Sequence, residues 1–193
     1  MADIIIRAVT EKDAGEILNI YAPYIIKTAI TFEYTVPEKE EIRERIRKTL
    51  EKYPYIAACE NGRILGYTYA SPFKGRAAYE HSAEMSIYVD ENERGRGIGR
   101  LLYKAIEEIL AKMNVLNLEA CITHAEKEDQ YLENKSEKFH EKLGYKKVAH
   151  FSKCGYKFGN WYDVVWMEKF TGEHKEKMPP FVPFGEVKEE LGI

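Results

Sequence analysis

The stretch that most constrains this chain is Ser86–Leu102, where an apolar strand-like run, Ser86-Ile87-Tyr88-Val89, passes through Asp90–Glu93 into Arg94-Gly95-Arg96-Gly97-Ile98-Gly99-Arg100 and straight on into a helical pattern. A strand feeding a helix through a glycine turn demands a layered fold in which the helix packs back on a sheet. Leu101, Leu102, Ala105, Ile106, Ile109 and Leu110 form the predicted apolar stripe of that helix. Glycines let the backbone take positive φ and come close to a ligand. The first amides of a helix lack internal partners, and with the helix dipole they suit a pyrophosphate. Arg94, Arg96 and Arg100 add positive charge there.

Two phosphate-binding patterns fail. The Gly-Lys-Ser/Thr ending of a Walker loop is absent. The glycines at 95, 97 and 99 do not space as a dinucleotide fingerprint, although Glu119 lies about where a ribose-binding acid would stand. That fold also expects its turn after the first strand of a parallel unit, whereas this one follows a hairpin-rich region.

Around the turn, periodicity predicts the order β-α-α-β-β-β-α-β-α-β-β, a mixed α+β fold with helices flanking a mostly antiparallel sheet. Ile4–Arg7 reads as a strand. Thr10 and Asp13 form a capping box ahead of a helix with Ile17, Leu18, Tyr21, Tyr24 and Ile25 on one stripe. Residues 28–36 are non-helical. Pro37 fits the first position of a helix over 38–52, with Ile42, Ile46 and Leu50 inward. Strands over 55–59 and 64–70 flank an Asn61-Gly62 hairpin turn. Further strands fall at 83–89, 115–122, 145–156 and 161–170, the last two joined around Gly159-Asn160. Ser136 is expected to cap a helix over 137–143 that Gly144 closes. Residues 1–170 read as one domain. Residues 171–193 hold three of the seven prolines and read as a tail, either disordered or docked through Phe181, Val182 and Phe184.

Composition removes several classes. A net charge of -3 argues against sequence-independent nucleic-acid binding. No apolar run approaches the ~18 residues of a membrane span, and Met1-Ala2-Asp3-Ile4 lacks the features of a secretion signal. Three cysteines, Cys59, Cys121 and Cys154, imply a reducing, cytoplasmic setting without a disulfide framework, with packing as their expected role. No Cys or His pair has metal-ligand spacing, so no metal is expected. Fourteen tyrosines suggest a pocket or an aromatic interface.

Arg94-Gly95-Arg96-Gly97-Ile98-Gly99 resembles the Arg-x-x-Gly-x-Gly pyrophosphate turn of the Gcn5-related N-acetyltransferases (GNAT), and the element order resembles that fold across residues 3–170. Four further blocks resemble the phosphinothricin and methionine sulfoximine acetyltransferase subgroup. They are Pro72–Tyr79, Ala83–Val89, Phe139–Tyr145 and Gly155–Asp163. The resemblance implies acetyl transfer from acetyl-CoA to the amino group of a small amino-acid-like acceptor, in a homodimer. It implies Glu84 as general base and His140, in the place where many members have Tyr, as acid for the departing thiolate. It assigns the donor to the backbone of Ile87, Tyr88 and Val89, in a strand that a bulge splays from its neighbour, and to Arg94, Gly95, Arg96, Gly97, Ile98, Gly99 and Arg100. Where the subgroup has an Asn contacting the donor this chain has Glu133, with Asn134 displaced by one and left as the candidate. Phe32, Lys74, Arg76 and Tyr79 are implied to surround the acceptor.

Strand alternation independently puts Glu84, Ser86 and Tyr88 on one face and Met85, Ile87 and Val89 on the other. A carboxylate on so apolar a strand is costly unless solvated or used. The alternatives are a peptide, protein or polyamine N-acetyltransferase, which would favour an open groove, and a non-catalytic acetyl-CoA-binding module.

Overall fold

A computed structural model describes residues 3–192. One seven-stranded sheet carries the chain: β1 (Ile5–Ala8), β2 (Tyr55–Glu60), β3 (Arg63–Pro72), β4 (Ser82–Val89), β5 (Asn117–His124), β6 (Lys146–Lys157) and β7 (Asn160–Phe170). The strands lie in the order β1-β2-β3-β4-β5-β7-β6. Every neighbouring pair is antiparallel except β4 and β5, whose parallel pairing needs a crossover. Helix α3 (Ile98–Lys112) is that crossover.

Helices α1 (Ala14–Lys27) and α2 (Lys39–Leu50) cover one face of β2–β4. Their inner stripe includes Ile17, Ile42 and Ile46, all buried against Tyr55, Ala57 and Tyr67. Burying each such side chain contributes about 1.5–3 kcal/mol. The other face packs on α3 through Leu102, Ile106 and Leu110, each fully buried. Helix α4 (Lys135–Lys142) closes the far end of β5.

Local chemistry explains most element ends. Thr10 and Asp13 do form the capping box, on a 3₁₀ turn that leads into α1. Asn61 and Gly62 both take positive φ, as a type I′ turn requires. Gly144 ends α4 at φ 91°.

Four expectations need correction. Leu101 is not on the α3 stripe, being 37% exposed; Tyr103 takes the inward place at 1%. Ser136 lies inside α4, and Asn134 is its N-cap. Pro37 precedes the Glu38 N-cap of α2 rather than starting the helix. The β6–β7 turn is Phe158-Gly159, where both residues take positive φ, rather than Gly159-Asn160.

After β7 the chain turns back along α3. The Val182 amide donates to the Met113 carbonyl at 3.1 Å and that of Phe184 to the Lys52 carbonyl at 3.1 Å. A last helix, α5 (Phe184–Leu191), buries Phe184 and Val187 in the α3-side core.

Candidate active site

The parallel ladder between β4 and β5 is short. Ser82, Ala83 and Glu84 pair with Asn117, Leu118 and Glu119, and beyond them the strands part. The expected bulge is not what splays β4: its register with β3 runs unshifted from Gly66↔Val89 to Pro72↔Ala83. A cleft opens in the gap, with Met85–Tyr88 on one wall and Ala120–Thr123 on the other. Tyr103, Ser136, His140 and Ile30 close it.

Backbone groups of β4 alternate between β3 and this cleft. Asp90 donates to the Leu65 carbonyl on β3, so Tyr88 also faces β3, while Ile87 and Val89 face the cleft. Val89 is already engaged, its amide donating to the Tyr24 hydroxyl at 3.2 Å and its carbonyl accepting from it at 2.5 Å. Of the three residues expected to pair with the donor, Ile87 is the one left with its amide toward the gap.

At the top of β4 the glycine turn opens α3. Gly95 and Gly97 sit at φ 82° and 80° with open space where a Cβ would stand, so conformation rather than room requires glycine there. Gly99 is different: a Cβ would lie 3.1 Å from the Phe139 ring, so it lets α3 and α4 approach. The first α3 bond runs from the Leu101 amide to the Gly97 carbonyl, leaving the amides before it free of intrahelical partners. Arg96 turns away from this site. It binds Glu60 at 2.8 and 3.3 Å and also Glu93, which in turn binds Arg63. It braces the turn. Arg94 stands over the Tyr24 ring at 5.2 Å, and Arg100 is exposed. Asn134 does not reach toward the turn either. Its Oδ1 accepts from the Ala125 amide at 2.9 Å and its Nδ2 donates to the Ala125 carbonyl at 2.8 Å, pinning the 125–134 connection.

Glu84 is half-buried on the β4 face opposite α3. Burial raises its carboxyl above the usual range, and the nearby Lys74 ammonium partly offsets that. Lys74 itself is exposed, standing over the rings of Phe73 at 4.8 Å and Trp166 at 5.6 Å. Thus Lys74 and Glu84 are brought together. Tyr79 packs edge-on against Phe73 at 6.0 Å, and Arg76 is exposed on the same loop. Phe32 lies across β6, its ring so close over Gly155 that a Cβ there would overlap it. The segment carrying Phe32 crosses the mouth of the cleft. It is tied by the buried Lys157 ammonium, which donates to the Thr28 carbonyl at 2.9 Å and the Thr31 carbonyl at 2.7 Å.

His140 is buried on α4. Its Nδ1 lies 2.7 Å from the Ser136 carbonyl, which can only accept, so Nδ1 carries a proton. Its Nε2 lies 2.7 Å from the Tyr103 hydroxyl and is therefore the acceptor of that O–H when the ring is neutral. Burial lowers the His140 pKa and favours the neutral ring. The two side chains form a hydrogen-bonded pair that lines the cleft.

Of the three cysteines, Cys59 is buried; Cys121 and Cys154 are exposed rather than packed. Desolvation by the cleft walls, and after it the Glu84 charge, push the Cys121 thiol up to about 11, which leaves little nucleophilic thiolate at neutral pH.

The sequence reading gave no site role to Tyr103 or Lys157, and met Glu119 only as the ribose-binding acid of a fold it set aside. Tyr103 had a usable signal, since a tyrosine on a buried helical stripe needs a partner for its hydroxyl. Lys157 had none: its burial depends on carbonyls more than 120 residues away. Glu119 is 7% exposed, and burial together with the charge of Glu168 pushes its carboxyl up to about 7.

Residues 6–166 match the acetyltransferase (GNAT) domain family. The chain is 31% identical over 172 residues to the phosphinothricin N-acetyltransferase of Streptomyces coelicolor, covering 87% of this chain and 96% of that one. It is 27% identical over 172 residues to an L-amino acid N-acyltransferase of Escherichia coli, covering 89% and 96%. Among solved structures, a GNAT superfamily phosphinothricin acetyltransferase of Sinorhizobium meliloti in complex with AcCoA superposes with a TM-score of 0.81 at 26% identity, covering 94% of this chain and 98% of that one.

Proposed function

The chain belongs to the GNAT acetyltransferase family, and from that membership we propose that it transfers the acetyl group of acetyl-CoA directly to the amino group of a small, amino-acid-like acceptor. The observation that carries this reading is the parting of β4 from β5 beyond Glu84. It exposes one strand edge for the donor and sets a half-buried carboxylate at the point of departure.

In this reading the donor pyrophosphate sits at the α3 N-terminus between Arg94 and Arg100, with Gly95, Gly97, Ile98 and Gly99 shaping the backbone. The Ile87 amide meets the pantetheine arm as an added strand would. Glu84 takes the proton from the acceptor ammonium, directly or through water, and the freed amine attacks the thioester carbonyl. As the new C–N bond forms, the C–S bond breaks. The leaving thiolate takes the Tyr103 proton, and the second proton released by the nitrogen restores it, so the Tyr103–His140 pair ends as it began. Tyr103 remains protonated because burial raises its pKa, and His140 holds the hydroxyl in place. Lys74 and Arg76 meet the acceptor's anionic groups, with Phe32 and Tyr79 as walls.

The names of the relatives support phosphinothricin or methionine sulfoximine as acceptors. The test is thiol release from acetyl-CoA with each compound. Turnover is expected, and Glu84→Gln should lower kcat ~10²–10⁴-fold with acetyl-CoA binding intact. Release only with peptides or polyamines would overturn the acceptor assignment; binding without any release would overturn turnover itself.

The finer assembly is a homodimer. The edge hairpin β6–β7 exposes Tyr156 at 48% and Trp161 at 61%, whose rings meet at 5.1 Å, an apolar pair beside an unpaired strand edge. A cytoplasmic location fits three unpaired cysteines and an intracellular acyl donor.

A further inference from the structure

On the α1/α2 side of β4 lies a second cavity of about 290 Å³ that none of the roles above uses. Its wall is built from Tyr21, Tyr55, Tyr67, Tyr69 and Tyr88. The hollow opens to solvent past Arg45, Lys48 and Thr49 of α2, and its size is near the ~300 Å³ lower bound for ligand pockets. The Cα partner of Tyr69 is Ser86 and that of Tyr67 is Tyr88, on the face that carries Glu84. Ser86 is two residues from Glu84, about 7 Å along the strand at its usual rise. Tyr88 borders both this cavity and the donor cleft. An α-amino group at Glu84 therefore leaves its own side chain pointing down the row of tyrosines.

We propose that this five-tyrosine cavity is the side-chain pocket of the acceptor, and that the acceptor it selects is an aromatic α-amino acid. The inference rests on the acetyl-transfer reading given above and extends it. The rings already meet as aromatic partners do: Tyr55 and Tyr69 stack at 4.9 Å, and Tyr21 meets Tyr88 edge-on at 4.8 Å. A further ring finds faces and edges at the separations such pairs prefer. Tyr55, Tyr67, Tyr69 and Tyr88 carry their phenolic protons at neutral pH, and burial raises their pKa values further, so the wall presents hydroxyl groups to a polar ring substituent. Arg45 does not place an unbalanced charge at the rim. It binds Glu33 at 2.7 and 3.3 Å and Glu41 at 2.5 Å, which also ties α2 to the segment bearing Phe32.

The test compares kcat/KM for L-tryptophan, L-phenylalanine, L-alanine and L-methionine sulfoximine in the wild type and in Thr49→Phe. That variant fills the cavity from the α2 wall, with Thr49→Val and melting temperature as folding controls. The aromatic amino acids should exceed alanine by about tenfold or more, and Thr49→Phe should cut the tryptophan-to-methionine sulfoximine ratio about tenfold. Aromatic acceptors no better than alanine, or a ratio unchanged in a folded variant, would overturn the proposal. Should no acceptor turn over, the acetyl-transfer reading fails separately. Equilibrium dialysis with L-tryptophan then decides: binding lost in Thr49→Phe supports the pocket, and no binding to the wild type overturns it.

Discussion

Glu84 has no arginine or lysine bonded to it, and its charge is set by burial against the field of one exposed lysine, Lys74. As a base it must be ionised, so kcat/KM falls on the acid side as pH drops through its raised pKa. Lys74 favours the charged form, so Lys74→Met should move that acid limb to higher pH, read from the pH profile of kcat/KM. Glu119 makes the opposite kind of claim, on stability. Below its ordinary value of 4.5 the folded and unfolded chains both hold its proton. Above it the unfolded chain releases the proton, whereas the folded chain keeps it until about pH 7. Its contribution is therefore fully present below 4.5 and lost as pH rises toward 7. Glu119→Gln should gain stability relative to wild type by on the order of 1–3 kcal/mol between pH 4 and pH 8, measured by denaturant unfolding at the two values. The unusual setting of Glu84 was legible because a carboxylate in Ala83–Val89 stands out against its neighbours. The environment of Glu119 was not, because Glu168 faces it only through the β5/β7 register, and no local pattern encodes that pairing.

At the scale of elements, the turn before α3 was readable in full, since glycine spacing is a statement about φ and needs no tertiary knowledge. Gly97→Val should force a branched residue into the left-handed region at φ 80°. The apparent dissociation constant for acetyl-CoA should then rise about tenfold or more, roughly 1.4 kcal/mol, by calorimetry on folded protein. What the arginines do was only partly readable. Arg94 and Arg96 are alike in sequence, yet Arg96 is taken by Glu60, a residue on another strand. Asn134 was lost for a similar reason: its partner Ala125 sits across a loop whose closure the sequence does not announce. Helix stripes and hairpins were legible because their periods are local, and their errors came at ends, as at Pro37 and Ser136.

For the whole molecule, the strand order could be approached from hairpins and one crossover, but the last 23 residues left two readings open. Phe184, at 1% exposure, ties that segment to α3 and to the loop after α2. Phe184→Ala should cost about 3–5 kcal/mol in chemical denaturation, against nearly nothing for a solvated tail. Association is a property of the same scale. Trp161→Glu in the exposed Tyr156–Trp161 pair should convert the proposed dimer to monomer in analytical ultracentrifugation, because a charge in a desolvated apolar contact is left without a partner.

Three residue pairs are all that stitches β4 to β5. In mechanical terms the sheet is two stiff plates joined along a brief seam, with α3 riveted across both. Such an object bends at the seam before it bends anywhere else, since opening there breaks few ladder bonds and leaves each plate's own strands intact. In the proposed reading the same seam is the slot through which the long, thin donor threads. Compliance is thus concentrated beside Glu84, which holds the last stitch.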